Sequence, residues 1–379
     1  MMGELLSVSG KLPDFTQAQW QRVIYFSGDA LVVAQVYTTL SANGLFTQLP
    51  EDIRAYLQEV YELNSVRSNK QIKTFMRLAR HLNGIGVHPI ALKGISLLVG
   101  EKPGEPLRSS RITCDIDVLI SRDALLDSLK VLKSADYKQL VDPLDKATDS
   151  DDEQLLDDIN LDDFRNDPDF ARAHVPPVID SEGICIIDLH IAATSLHNPH
   201  EKQLTQTIVN HSVPVIDADS GVTYAIPDSV SQVVLAVYHA HIKNHHQFLG
   251  IVDWRLLLDM LALLQAHPKR DLVGETVSVA RQLDMEREMF TAWKLTTRYL
   301  NADIELGAAE SSANLRALTW FYRKSEWRWL AQVFLLCLKV KKAYTLLSPR
   351  ELRQSLGARR NFSTLVSHLS YRIRRSLNS

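Results

Sequence analysis

Two aspartates spaced two residues apart, Asp115 and Asp117 in RITCDIDVLI, are the residues whose types and spacing could do chemistry. The run reads as a strand. Alternation puts both carboxylates on one face, and Ile116, Val118, Leu119 and Ile120 are apolar enough to bury the other. Two ionised carboxylates side by side repel and raise one another's pKa, so stability alone does not select them. A divalent cation removes the conflict. Oxygen donors suit magnesium, which keeps waters and substrate phosphates as its other ligands. Without a cation, loss of either carboxylate is expected to leave the fold intact or more stable. A second apolar strand, ICIIDLHIAAT (184–194), carries Asp188 and His190 on one face by the same alternation. A charge in so apolar a strand needs a partner. The partner is either the metal at Asp115 and Asp117 or an arginine such as Arg111. Three carboxylates from two strands meet the requirement of a two-metal phosphoryl- or nucleotidyl-transfer site.

The elements that must position these groups can be read along the chain. Residues 1–84 are helical in pattern, with apolar residues at three-to-four spacing and a stop at Asn83-Gly84, and form a helical cap for the sheet. Residues 85–227 form the α/β core. It opens with a strand over 89–92, a turn at Gly94, a short helix and an irregular link to the aspartate strand. Ser121 caps the next helix, residues 137–141 read as a short edge strand, and 221–227 as the last strand. Within the core, 142–170 is crowded with aspartate; such a run repels itself and stays solvated as a surface insertion, lid or partner-binding segment. From Asp228, a good N-cap, to residue 379 the pattern is helical, and from Lys339 onward it is basic. His241 and His245 stand one helical turn apart, a zinc-like spacing without a third ligand in view. A helix face is the simpler account.

The chain has 379 residues and a net charge of −3, which does not point to nucleic acid. Cys114, Cys185 and Cys337 are far apart and lack metal-type spacing, as expected for thiols in a reducing cytoplasm. No signal peptide is visible, and no apolar run reaches the roughly 20 residues that cross a bilayer.

With these residues in hand, the run from Ile90 to Ile120 resembles the signature of the DNA polymerase β-type nucleotidyltransferase superfamily. The chain is more similar still to a bacterial family described as uncharacterised nucleotidyltransferase. The shared elements are Ala91-Leu92-Lys93-Gly94, Arg111, Asp115-Ile116-Asp117, Asp188-Leu189-His190, His174 with Pro176, and His241 with Asp253, over roughly residues 31–265. The superfamily's glycine-serine pair stands here as Gly94-Ile95-Ser96, and Asp188 occupies a position where relatives often carry glutamate.

The resemblance implies an α/β (α+β) fold: a small mixed-sheet nucleotidyltransferase core flanked by N-terminal and C-terminal helical regions. It implies a magnesium-dependent transfer of a nucleoside monophosphate from an NTP to an acceptor hydroxyl, with two ions and manganese as the alternative. Asp115, Asp117 and Asp188 would be the metal ligands and catalytic groups, with Asp188 also helping to deprotonate the acceptor. Lys93, Gly94, Ser96 and Arg111 would receive the phosphates; the plain alternatives are a snorkelling Lys93 and a structural Arg111. A small molecule or protein is favoured over RNA as acceptor. A scaffold that binds nucleotide or protein without catalysis, and an RNA-directed enzyme using the basic segment, are the alternatives.

Overall fold

A computed structural model describes residues 12–100, 109–139, 178–180, 185–194, 199–307 and 310–326, together with Leu5. The acidic segment 142–170, His174 and Pro176, Cys337 and the basic stretch from Lys339 lie outside those residues. The described chain forms two compact units. One takes the residues up to His239 together with Asp253–Glu310; the other takes Ala240–Val252 and the residues from Ser311.

The first unit begins with helices α1 (Gln17–Asp29), α2 (Val33–Ala42) and α3 (Glu51–Asn83). Thr16 and Gln19 close a capping box on α1. A single helix of 33 residues, α3 has acids in its first turn and Arg80 and His81 in its last, the arrangement that suits its dipole. The core then runs β1 (Ile90–Ala91), α4 (Lys93–Gly100), β2 (Asp115–Leu119), α5 (Leu125–Ser134), β3 (Lys138–Gln139), β4 (Val178–Ile179), β5 (Ile186–His190), α6 (Pro199–Asn210), β6 (Ser212–Ile216) and β7 (Thr223–Pro227). Helices α7 (Ser229–Val237), α9 (Trp254–Ala266), α10 (Leu272–Gln282) and α11 (Glu286–Leu300) complete the unit. Asp228 caps α7 by accepting from the Ser231 amide, as the sequence predicts.

The seven strands form one mixed sheet in the order β3-β4-β5-β2-β1-β7-β6. Fold class agrees with the sequence reading, and the short strand after Tyr137 is indeed at an edge. Two strands were not anticipated, β4 and β6. The latter forms a hairpin with β7 across residues 212–227, so the strand at 221–227 lies between β1 and the edge strand β6. On one face of the sheet, Ile116 and Val118 of β2 and Ile187 and Leu189 of β5 are buried against Phe75, Leu78, Ala79 and Leu82 of α3. Of the first helical segment, α3 is the part that caps this face of the sheet. Period-two alternation explains the division, because the apolar residues fill the core while the odd-numbered acids of β2 take the other face.

In the second unit, α8 (His246–Leu249) and α12 (Ser312–Glu326) pack together, and Lys324 Nζ donates to the Gln247 carbonyl at 2.8 Å. A π-helical segment, Tyr238–Lys243, precedes α8, and His245 has φ +59°. His241 and His245 are thus not one turn apart on a regular helix, and the zinc spacing read from the sequence does not form; His241 Nδ1 instead lies 3.0 Å from Gln247 Oε1. Among the described residues no single helix is long and apolar enough to cross a membrane.

Candidate metal centre

Parallel pairing of β2 and β5 builds the site. Its register sets Asp115 opposite Ile186, Asp117 opposite Asp188 and Leu119 opposite His190. In-register residues of adjacent strands point the same way, so Asp115, Asp117, Asp188 and His190 share one face. Donor atoms of Asp117, Asp188 and His190 lie within 4.8 Å of one another, the one such group of three among the described residues. Asp117 and His190 are almost fully buried, and Asp188 and Asp115 are partly buried. His190 Nε2 stands 2.7 Å from Asp117 Oδ1. Asp115 lies one register step along the same face and is not one of the three.

A fourth group comes from the turn after β1. The Leu92 amide donates to the Asp117 carbonyl at 3.0 Å, tying this turn to β2. Lys93 follows with φ +51°, a left-handed conformation that a lysine adopts at a cost of order 1–3 kcal/mol when the surroundings over-determine it. From there its ammonium pairs with Asp117 Oδ1. Gly94 is required for a different reason. A Cβ here would run into Cγ2 of Thr113 and come within 3.2 Å of its Cβ. Ser96 is buried; its hydroxyl donates to the Lys93 carbonyl at 2.7 Å and its amide to that of Leu92 at 3.4 Å. Both of its donors therefore serve helix α4 itself.

Polar residues on α3 hold the link that leads into β2. Asn64, Ser68, Gln71 and Thr74 recur at helical spacing and are all buried. Asn64 Nδ2 donates to the carbonyl of Ser109 at 2.6 Å and that of Arg111 at 3.3 Å. The Thr113 hydroxyl donates to Gln71 Oε1, and Gln71 Nε2 returns a bond to the Thr113 carbonyl. Thr74 and Arg77 donate to Asp180, whose other oxygen accepts from the Cys185 amide and so braces the start of β5. Arg111 is held elsewhere. Its Nε lies 2.8 Å from Asp259 Oδ1 on α9 and its Nη1 donates to the Ile112 carbonyl at 2.7 Å. The pairing of Arg111 with Asp188 that the sequence left open does not form; Asp188 stands with Asp117 and His190.

The electrostatics separate the two β2 aspartates. Burial pushes the Asp115 carboxyl up, the charges of Asp117 and Asp188 add to this, and Lys93 opposes it. Burial pushes the Asp117 carboxyl up as well, but the His190 hydrogen bond and the Lys93 ammonium more than reverse it, holding the group well below the usual carboxylate range. Burial also lowers the Arg111 pKa and raises that of Asp259, each resisted by the other's charge.

A family model described as uncharacterised nucleotidyltransferase matches residues 16–301. The chain belongs to that family. The match extends beyond residues 31–265, where the sequence resemblance was drawn, and takes in α1 and the helices through α11. No curated protein and no solved structure matches the chain. The nucleotidyltransferase family and the Asp117-Asp188-His190 group together support a transferase that could bind metal.

His190 shares its face with Asp188 in the sequence, yet only the register brings it to Asp117. The polar stripe on α3 is visible as Asn64, Ser68, Gln71 and Thr74 at one helical face, a signal masked by the apolar stripe beside it.

Proposed function

We propose that this chain is a metal-dependent nucleotidyltransferase that moves a nucleoside monophosphate from an NTP such as ATP to a hydroxyl of a small molecule or protein. The observation that carries the reading is the set of donors from two in-register strands facing a lysine at a helix N-terminus, within a nucleotidyltransferase family. The donor set fits a divalent cation: two carboxylates and an imidazole converge, and Asp115 adds a carboxylate whose ionisation is disfavoured without a counter-charge. Asp117, Asp188 and His190, with Asp115 toward a second ion, would hold magnesium or manganese, which when bound supplies charge neutralisation at the triphosphate.

The chain's own residues account for the rest. Lys93 is partly exposed and directs a positive charge at the phosphates from the start of α4. Gly94 lets the backbone approach them closely, beside the first-turn amides that have no acceptor within their helix. A carboxylate oxygen of Asp188 takes the proton of the acceptor hydroxyl as the hydroxyl's own oxygen bonds to the α-phosphorus. The bond from the α-phosphorus to its bridging oxygen breaks, and pyrophosphate leaves in line. Ser96 and Arg111 contribute by holding the backbone, Ser96 within α4 and Arg111 between Asp259 and the link to β2. A reducing cytoplasm is the compartment this reading assigns.

Equilibrium dialysis of labelled ATP tests the reading at the binding step. Affinity that depends on a divalent cation and falls at least about tenfold in Lys93→Met, with the fold retained, is the expected result. Binding indifferent to both would favour a scaffold.

A further inference from the structure

We propose that His190 is itself a metal ligand, and that the ion held by Asp117, Asp188 and His190 is therefore of the manganese class in preference to magnesium. This rests on the metal-dependent reading above and goes beyond it, because it assigns the identity of the ion and the residue that selects it. Imidazole suits first-row transition ions, carboxylates suit magnesium, calcium and manganese, and manganese is the common member of the two sets. Magnesium dehydrates reluctantly and favours oxygen.

Three features place the imidazole in the donor set. First, His190 lies on the carboxylate face of β5, one alternation from Asp188, while its neighbour Leu189 fills the core. Second, the imidazole is 1% exposed, so its partners are fixed by the fold and not by solvent. Third, one oxygen of Asp117 gathers both the His190 nitrogen and the Lys93 ammonium. The donor atoms of Asp117, Asp188 and His190 lie within 4.8 Å of one another, close enough to reach a single ion. In the metal-free chain the hydrogen bond holds His190 beside Asp117, so the nitrogen donor needs no rearrangement of the strands to reach an ion there. Asp115 lies outside the group of three.

Pulsed electron paramagnetic resonance of Mn2+ on the full chain reads the ligand directly, and calorimetry with Mn2+ or Mg2+ alone reads the preference. The wild type should bind Mn2+ at least about tenfold more tightly than Mg2+, with nitrogen modulation that changes when histidine is 15N-labelled. His190→Gln should lose that modulation and at least about tenfold in Mn2+ affinity, since even outer partners of metal ligands cost 10–100-fold, with Mg2+ affinity changed less. Asp188→Asn, which keeps His190, should bind Mn2+ more weakly and retain the modulation, a comparison that stands even if His190→Gln fails to fold. Bound Mn2+ without histidine modulation, modulation that survives in folded His190→Gln, or equal affinity for both ions would overturn the assignment and leave the transferase reading in place. Failure of the wild type to bind either ion would overturn both.

Discussion

Replacing Asp117 and Asp115 one at a time by asparagine, in the metal-free chain, should move stability in opposite directions. Asp117 is buried, and its Oδ1 receives the Lys93 ammonium and the His190 nitrogen. Removing one partner of a fully buried pair costs about 3–5 kcal/mol. The Lys93 side chain is 21% exposed, so water recovers part of that, and Asp117→Asn should cost roughly 2–3 kcal/mol. Asp115 faces the reverse situation. Burial and the charges of Asp117 and Asp188 disfavour its ionised form, so Asp115→Asn should stabilise the metal-free chain. The sequence alone suggested that either loss would be neutral or stabilising; the structure withdraws this for Asp117. The pH dependence carries the same signs. The Asp117 carboxyl is depressed in the fold, so its stabilisation is present above the ordinary carboxylate pKa and is lost as pH falls through the folded value. The Asp115 carboxyl is raised, so its penalty is complete above its folded value and relaxes as pH falls through that value toward the ordinary one. Urea unfolding in EDTA at neutral pH and at pH near 4 measures both. Shifts of the same sign and size for the two variants would refute the reasoning.

The remaining expectations concern the supports of the site. Asp259→Ala, which leaves the buried Arg111 charge unpaired, should cost about 3–5 kcal/mol, while Arg111→Met with Asp259→Leu should be near neutral; urea midpoints decide this. Gly94→Ala should destabilise the turn by collision with Thr113 Cγ2, and Thr113→Ser, which removes that methyl and keeps the hydroxyl for Gln71, should restore part of the loss in the double variant. Asp188→Asn should lower turnover at least about a hundredfold and leave nucleotide affinity within a few-fold, read by single-turnover kinetics beside dialysis. A destabilised Asp188→Asn protein with unchanged turnover per folded molecule would remove it from the chemistry.

Much of the site was legible because a strand's period of two is strict. Asp115, Asp117, Asp188 and His190 could be placed on faces from alternation alone, and Lys93-Gly94 could be placed at a turn. What joins them could not be read locally. The step from Asp117 to Asp188 depends on register across separate strands, and Lys93 reaches Asp117 only because the turn after β1 is left-handed. Arg111 and Asp259 are 148 residues apart, so no local pattern signals their pairing. The strands β4 and β6 were missed for a related reason. Val178–Ile179 is two residues long, and SVPVI at 212–216 contains a proline and lies on the sheet edge, where a ladder bond can be forgone. The link into β2 reads as irregular in sequence; its described part, residues 109–114, is held by Asn64 and Gln71 of α3.

The claim that matters most is that the Asp117–Asp188 face transfers nucleotide. The direct measurement is incubation of the full chain with α-labelled NTPs, a divalent cation and a cell lysate, followed by detection of the labelled acceptor and of pyrophosphate. A labelled acceptor that appears with pyrophosphate, needs the cation and is absent with folded Asp117→Asn and Asp188→Asn is the predicted result. Label transferred equally by those variants, or no transfer from any NTP by a wild-type chain shown to bind nucleotide and metal, would contradict it.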